Sequence, residues 1–240
     1  MIENLNSDSA CERCELGAFT IYGPTYSVAM PNIKARRLAI QRVETGKILI
    51  PEGSAPEKIY SIRSGWAFRY KEMPGGRRQI LSFLIPGDLT LFESLIVSKF
   101  SPPYAVKSLT PVVLCTFAVG DMRQIMNATP EQSRELEVAV LGYIANLHRR
   151  IADLGRRNAH GRIAQLILEL EGRLARRRLV KNHAFEFPLR QEHIADATGL
   201  TSAHVNRVLS ELRKTQLIDL EPRRLRILDH AGLARVAEEG

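Results

Sequence analysis

The chain has 240 residues, 45% of them hydrophobic and 25% charged, with a formal net charge of +8. This length allows two small domains and excludes a large multidomain enzyme. The positive charge favours a polyanionic partner. No apolar run reaches transmembrane length and no apolar signal segment is readable, so we expect a cytoplasmic protein without a membrane partner.

Three cysteines are present, Cys11, Cys14 and Cys115. An odd number, with two close to the N-terminus, does not form the even framework of a secreted disulfide scaffold, so they are reduced thiols or metal ligands. A thiol-redox enzyme built on Cys11 and Cys14 is not favoured. Redox Cys-x-x-Cys pairs open a helix after a strand, and no apolar strand precedes Cys11.

Short apolar or alternating runs follow at 46–51, 58–62, 65–71, 77–84 and 105–117. Glycine-containing turn sequences stand between them. A glycine in such a place serves a tight turn rather than a phosphate site. The pattern predicts an antiparallel β-roll, or jelly roll, as a sensor domain over residues 1–128, with the cysteine pair on its N-terminal tail.

A long helix is predicted over 129–157, with Thr129 as N-cap, Pro130 as first helical residue and Gln132 as the returning arm of a capping box. Its apolar residues recur at heptad spacing: Leu136, Val140, Ile144, Leu147, Ile151 and Leu154. Such a stripe could dock on its own domain. A long helix between two domains more often pairs with its twin, so we predict a homodimer through this stripe.

The segment 189–214 has the spacing of a helix-turn-helix. Ile194 and Ala197 give its first helix an inner face, and Gly199 ends that helix. Thr201 can cap a second helix from 202 to about 215. Four apolar residues share the inner face of this second helix: Val205, Val208, Leu209 and Leu212.

The opposite face of the second helix carries side chains suited to DNA. Arg207 can bind guanine through two hydrogen bonds and Asn206 can do likewise with adenine, so we expect these two to read bases. Ser210 and Lys214 can reach phosphates. The remaining predicted contacts are Thr201, Ser202, Ala203 and His204, the last on the helix flank as a phosphate neighbour or a half-buried side chain.

Two apolar runs around 221–224 predict a β-hairpin with a basic tip, a wing that lays Arg223, Arg224 and Arg226 along the phosphate backbone. Residues 158–240 are thus predicted to form a winged helix-turn-helix, and the whole chain an α+β protein. A twofold dimer would present two reading helices about one DNA turn apart to a roughly palindromic double-stranded site.

Two other interpretations stay open. The helix pair could be an ordinary amphipathic hairpin with a solvated outer face. The chain would then be a β-roll protein that binds a small molecule and acts through a protein partner, without specific DNA binding. No Ser/His/Asp arrangement, phosphate-binding glycine loop or paired-carboxylate motif is readable, so we expect no enzymatic activity.

Taken together, GWAFRYKEMPGGRRQILSFLIPGDL at 65–89, the long helix, and DATGLTSAHVNRVLSELRKTQLIDL at 196–220 resemble the Crp/Fnr family of bacterial transcription regulators. The resemblance extends from about Ile21 over nearly the whole chain. It implies a dimer that binds promoter DNA, with a signal-sensing β-roll of the cyclic-nucleotide-binding type and a long helix that relays the signal. It also implies contact with RNA polymerase.

Members similar to the cyclic-nucleotide receptor carry an Arg-Ser pair beyond the Gly-Asp/Glu-Leu turn, where the guanidinium neutralises the cyclic phosphate. Here Pro102 and Pro103 stand in the matching stretch, and the nearby Lys99 and Lys107 lack a planar fork. Cyclic nucleotide binding is therefore not expected. The oxygen-sensing members have a Glu four positions before the recognition-helix Arg; Ala203 stands there, so one base of each half-site should be read differently.

Members similar to the oxygen sensors hold a [4Fe-4S] cluster on N-terminal cysteines and one distant cysteine. Cys11, Cys14 and Cys115 match three of those ligands, but no cysteine stands near Thr20, where the fourth would lie. A carboxylate could complete the set, the candidates being Asp8, Glu12, Glu15 and Asp121. The alternative is that Cys115 packs in a strand like a small apolar residue.

Overall fold

The computed structural model describes Ile33 and residues 35–240. Its strands are β1 (Arg37–Val43), β2 (Ile48–Ile50), β3 (Lys58–Ser64), β4 (Ala67–Met73), β5 (Arg77–Leu84), β6 (Ala105–Ser108), β7 (Val112–Ala118), β8 (Ala184–Glu186), β9 (Ile218–Glu221) and β10 (Arg224–Ile227). Its helices are a 3-10 turn (Phe92–Leu95), α1 (Val119–Met126), α2 (Pro130–Arg156), α3 (Ala159–Ala175), α4 (Gln191–Thr198), α5 (Ser202–Lys214) and α6 (His230–Glu239).

The chain divides into two compact units, and the division falls within α2 between Gly142 and Tyr143. The first unit takes the residues before this point except Arg78–Ile80, and the second takes Arg78–Ile80 and Tyr143–Gly240. The long helix, predicted as a region of its own at 129–157, is thus shared between the two units.

The first unit contains a three-stranded sheet of order β1-β7-β3 and a four-stranded sheet of order β2-β6-β4-β5. β7 pairs antiparallel with both β1 and β3, and β6 pairs antiparallel with β2 and β4. The core holds side chains from both sheets, among them Ile59, Ile62, Val106 and Leu114, each with no exposed surface. The predicted β-roll is therefore confirmed.

Two details of the β-roll differ from the sequence prediction. The run 105–117 is two strands, because the chain turns after β6, where the backbone N–H groups of Leu109 and Thr110 both donate to Trp66 O. Gly65 makes this turn possible, since a Cβ at Gly65 would lie 2.1 Å from Pro111 O. β1 was not predicted, because only Ile40 of its seven residues is buried and its alternation is masked by arginines.

Helix α2 begins at the predicted residue. Thr129 Oγ1 accepts a hydrogen bond from the backbone N–H of Gln132 at 3.3 Å, which confirms the N-cap. The predicted capping box is wrong in its second half. Gln132 Oε1 is buried and accepts no hydrogen bond from the described residues, so it does not return to the N-cap backbone.

The second unit contains α3, the helix pair α4 and α5, and a three-stranded antiparallel sheet of order β8-β10-β9. Asn158 caps α3 by accepting the backbone N–H of Gly161 at 3.0 Å. Ile163 and Ile167 of α3, Val208 of α5 and Leu225 of β10 have no exposed surface and form its core. Within the described part of the chain, no helix combines the length and apolarity that crossing a bilayer requires.

Candidate nucleic-acid interface

The second unit contains a helix-turn-helix formed by α4 and α5. Gly199 ends α4 with φ +66°, in the left-handed region that glycine favours. Thr201 begins α5 as its N-cap, because Thr201 Oγ1 accepts the backbone N–H of His204 at 3.2 Å. Both boundary residues are those that the sequence predicts.

The inner face of α5 is buried as predicted. Val205 and Val208 have no exposed surface, and Leu209 and Leu212 are 5% and 2% exposed. Burying each such side chain stabilises the fold by about 1.5–3 kcal/mol. Because four residues on one arc are held in the core, the rotation of α5 about its own axis is fixed, and so is the face that it presents outward.

The outer face of α5 carries the residues predicted to contact DNA. Five of them are exposed and two are half-buried: Ser202, Ala203, Asn206, Arg207 and Lys214, and His204 and Ser210. The N-cap Thr201 is exposed at the start of this face. None of the ion pairs found within 35–240 involves Arg207, so its guanidinium is not neutralised by a neighbour. The structure brings these residues together, and their contacts with DNA stay a prediction.

The predicted wing is present as the hairpin of β9 and β10. Leu225 and Ile227 are buried, whereas Arg224 and Arg226 alternate with them and are exposed. Arg223 lies at the tip with φ +62°, a conformation that a tight hairpin turn requires. The hairpin therefore presents its arginines to one side, as the sequence predicts.

Carboxylates that the sequence prediction did not consider lie near the wing arginines. Arg223 forms an ion pair with Glu186 of β8, with Nη2 2.7 Å from Oε1. Arg224 and Arg226 lie opposite Glu221 and Asp219 in register. A carboxylate thus accompanies each wing arginine, so the wing is less basic than its arginines alone suggest.

Two exposed cations near the helix-turn-helix were not among the predicted contacts. Arg190 directly precedes α4, and its side chain is 77% exposed. Arg213 is exposed in the last turn of α5. The neighbouring Lys214 was the signal that could have found Arg213, whereas Arg190 stands alone before the first helix and no basic stretch marks it.

His193 supports the start of α4 from inside. Its Nδ1 accepts the backbone N–H of Arg190 at 3.1 Å, and the residue is 8% exposed. Burial lowers the pKa of His193 below its usual 6.5, because the charged imidazolium is poorly solvated there, and the neighbouring Glu192 offsets this in part. The imidazole is therefore held neutral, with Nδ1 free of a proton.

The predicted dimer stripe on α2 does not follow one exposed face. Leu136 is 6% exposed and belongs to the core of the first unit, and Val140 packs against that core. These two residues are thus covered by their own chain, which corrects the N-terminal end of the predicted stripe. Leu147 is half-buried.

The exposed apolar face of α2 is shifted slightly around the helix from the predicted stripe. Ile144, Ile151 and Leu154 of the prediction are 41%, 68% and 36% exposed. Val138 and Leu141, which do not belong to the predicted stripe, are 59% and 65% exposed. Leu141, Ile144 and Ile151 keep heptad spacing, so the same repeat read from a different starting residue would have added Leu141.

Of the three cysteines, only Cys115 lies in the described part of the chain; Cys11 and Cys14 lie outside it, as do the carboxylate candidates Asp8, Glu12 and Glu15. Cys115 is half-buried in β7 and packs against the core of the β-roll. Among residues 35–240, no three His, Cys, Asp or Glu side chains are grouped as a metal site would need.

The stretch predicted to lack a cyclic-phosphate ligand has Pro102 buried and Pro103 exposed. Lys99 is exposed and Lys107 half-buried. A buried arginine that sequence reasoning missed, Arg69, donates to the backbone carbonyls of residues 89 and 90 at 3.1 and 3.3 Å. Arg69 thus serves to hold the chain after β5 within the β-roll.

Comparisons with known proteins agree with this arrangement. The model of the cyclic nucleotide-binding domain matches residues 40–129, and that of the Crp-like helix-turn-helix domain matches 161–236. The transcriptional activatory protein AadR of Rhodopseudomonas palustris is 30% identical over 195 residues, 80% of this chain and 79% of that protein. The transcriptional activator protein FnrA of Stutzerimonas stutzeri is 23% identical over 95% of this chain and 92% of that protein.

A solved structure shows the same fold. FixK2 from Bradyrhizobium japonicum has a TM-score of 0.73 and 23% identity, covering 82% of this chain and 96% of that one. Both units of the fold, and the sequence relationship to AadR, therefore point to one family of regulators rather than to enzymes. The chain belongs to the Crp/Fnr family of DNA-binding transcription regulators.

Proposed function

We propose that the chain acts as a homodimer that binds a roughly palindromic promoter site through two copies of α5, and that the β-roll senses the signal. The observation that carries the proposal is the outer face of α5, where Asn206 and Arg207 are exposed opposite four buried residues. A helix of 13 residues is about 20 Å long and fits the major groove with such a face inward.

Arg207 and Asn206 are proposed to read bases, because a guanidinium and a carboxamide can each form two hydrogen bonds with one base. The other residues of this face are proposed to position the helix on the phosphates. Lys214 supplies a charge near the end of α5, and the backbone N–H groups around Ser202 lie at its N-terminus, where the helix dipole favours a phosphate. Arg224 is proposed to contact the backbone from the wing.

The dimer is proposed to form through the exposed apolar face of α2, with a second copy of this chain as its occupant. Leu141, Ile144 and Ile151 are all more than 40% exposed and recur at heptad spacing. Leu147 and Leu154 flank them. Such a stripe on a long helix is costly to leave in water, and a second identical stripe covers it in a coiled coil.

A selection experiment tests the proposal. The full chain is incubated with a random-sequence duplex library, and bound duplexes are recovered, sequenced and measured by mobility shift. We expect a symmetric site whose half-sites lie about one DNA turn apart, with two chains per duplex. Enrichment of an asymmetric site, or no enrichment over the starting library, would contradict it.

The alternative, a β-roll that binds a small molecule and acts through a protein partner without specific DNA binding, makes the opposite prediction for the same assay. It expects no retardation of any duplex at low salt. RNA polymerase is proposed as the protein partner of the DNA-bound dimer because family members activate transcription. A pull-down of polymerase that depends on the selected duplex checks this.

The nature of the signal is a separate question. A [4Fe-4S] cluster takes four ligands, usually cysteine thiolates, and the chain has three cysteines, so the thiolate set is incomplete. Asp121 is a weak replacement, because its neighbour Arg36 lies 3.6 Å away and already pairs with it. We therefore expect protein purified without oxygen to hold far fewer than about four iron atoms per chain. A brown, iron-rich preparation that bleaches in air would contradict this expectation.

A further inference from the structure

We infer that Arg162 is a positioning residue, whose guanidinium fixes the helix-turn-helix to the end of α2 and thereby sets the half-site spacing that the dimer accepts. The inference rests on the proposed dimer on DNA. Arg162, the last turns of α2, and α4 with α5 all belong to the second unit.

The guanidinium of Arg162 bridges two helix ends. Its Nε donates to the backbone carbonyl of Arg157 at 2.9 Å, and its Nη1 donates to the backbone carbonyl of Thr198 at 3.1 Å. Arg157 directly follows α2, and Thr198 is the last residue of α4. One side chain from the first turn of α3 therefore contacts the C-terminal ends of two other helices.

The chemistry of these two ends suits a cation. The last carbonyls of a helix have no partner within it and carry the negative end of the helix dipole. A guanidinium is planar, stays charged, and holds its donors in a fixed fork, so it can satisfy two carbonyls in one geometry. A lysine has a single ammonium and cannot impose that geometry on both ends at once.

Other contacts join α2 to α3 but do not reach α4. Glu169 of α3 lies 4.0 Å from Arg150 of α2 and 3.2 Å from Arg173. Asp153 of α2 pairs with Arg157, the residue directly after that helix, at 2.6 Å. Of these pairs, the one between Arg150 and Glu169 joins α2 to α3. A second polar contact reaches the helix-turn-helix from α3, the hydrogen bond between His160 Nε2 and Glu211 of α5. Arg162 differs from both because its one side chain bonds the carbonyl ends of α2 and of α4.

The turn between α4 and α5 lies directly against this contact. A Cβ at Gly199 would lie 3.6 Å from Leu154 Cδ2 and 3.7 Å from Arg162 Nη1, which is van der Waals distance. A small crevice beside it is lined by residues of α2, α3 and α4, including Leu154, Arg162 and Thr198. The start of α5 is therefore located by α2 and by Arg162.

This geometry has a consequence for DNA. Ile144 and Ile151 of the proposed dimer seam lie on α2, which ends directly before Arg157, the residue that Arg162 bonds. If α2 is fixed by the seam and α5 is fixed to α2, the two reading helices of a dimer have one separation. A rigid separation accepts one half-site spacing, and a loose one accepts several.

The test uses the full chain and duplexes derived from the selected site, with zero, one or two base pairs inserted or deleted between the half-sites. The affinity of the parent protein should fall about 100-fold when the half-sites are moved from their selected spacing, because the second helix-turn-helix of the dimer no longer binds at high effective concentration. Arg162→Gln should bind the duplex with the selected spacing more weakly than the parent does. The loss of affinity that it shows on duplexes with altered spacing should be smaller than the parent's by about tenfold. Arg162→Lys should fall between them.

The matched control is Arg176→Gln, which removes the same charge from an exposed residue at the end of α3 and should keep the parent's spacing profile. A duplex with one half-site should bind parent and Arg162→Gln equally, because base reading is not altered. Thermal unfolding of each variant identifies a general loss of structure. If Arg162→Gln does not fold, Arg162→Lys carries the same test.

The outcomes separate the two ideas. A parent protein without any spacing preference would overturn the proposed dimer on a symmetric site. A parent with a clear preference and an Arg162→Gln variant with the same profile would leave the regulator intact and refute the positioning role. The positioning role would also be refuted if Arg162→Gln lost as much affinity for the single half-site as for the full site, since Arg162 would then support base reading instead.

Discussion

At the scale of single residues, base reading depends on side chains that the fold leaves exposed and without a neutralising neighbour. Arg207 meets both conditions within the described chain. We expect Arg207→Ala to weaken binding of the selected duplex by about 1–3 kcal/mol, because a bidentate contact to one base of each half-site is lost. Fluorescence anisotropy with selected and scrambled duplexes measures it.

The control for this prediction is Arg213→Ala, which removes an exposed cation from the same helix. It should weaken both duplexes by a similar factor, whereas Arg207→Ala should leave the scrambled duplex nearly unaffected. Equal affinity of Arg207→Ala and the parent for the selected duplex would mean that another residue reads the bases.

His193 gives a prediction on stability. Its pKa is lowered by burial, so the native state binds the proton less well than the unfolded chain does. The neutral His193 stabilises the native state fully at pH values above 6.5, the usual pKa of histidine. This contribution to the free energy of unfolding is lost as the pH falls from there through the lowered pKa of the native state. We expect the melting temperature to drop between pH 8 and pH 5, and His193→Gln to flatten that dependence.

The matching control is His204→Gln, a half-buried histidine on α5. Its melting curve should keep the parent's pH dependence. A parent whose melting temperature is the same at both pH values, or a His193→Gln variant with the parent's slope, would show that protonation of His193 does not limit the stability of the helix-turn-helix.

At the scale of elements, the amphipathic pattern predicted α5 down to its buried residues, because Val205, Val208, Leu209 and Leu212 fall on one arc. The same reasoning failed in part for α2. Its apolar residues form two adjacent stripes, one facing its own unit through Leu136 and one facing outward through Leu141. Periodicity locates a face but does not say what covers it.

The candidate site shows the same limit. The cap residues and the wing follow from local turn chemistry and were predicted. The ion pair of Arg223 with Glu186 joins residues 37 positions apart, and Arg162 bonds Thr198 36 positions away. Such contacts depend on how strands and helices pack, which no local pattern in a single sequence specifies.

The outward stripe of α2 gives a prediction on assembly. Ile151→Asp would place a buried charge within the proposed seam, where desolvation would oppose pairing. We expect this variant to sediment as a monomer and to lose cooperative binding to the symmetric duplex. Arg149→Asp changes charge at a neighbouring exposed residue away from the seam and should stay dimeric. A dimeric Ile151→Asp would place the interface elsewhere.

At the scale of the whole molecule, the net charge of +8 predicts binding to any duplex at low salt, before sequence matters. The logarithm of this affinity should fall linearly with the logarithm of salt, with a slope of about −0.9 for each phosphate neutralised. The carboxylates near the wing arginines reduce what those arginines add to that slope. Removing one of them should therefore strengthen non-specific binding.

Glu221→Gln tests this point, because Glu221 is exposed and lies opposite Arg224 in register. We expect tighter binding to a scrambled duplex and a slope steeper by up to about one per chain, since the negative charge opposite Arg224 no longer offsets its attraction for a phosphate. Glu238→Gln, an exposed carboxylate in α6, removes an equal charge outside the wing and should change the slope less. Identical slopes for the two variants would mean that the position of the removed charge does not matter, and that Arg224 does not contact a phosphate.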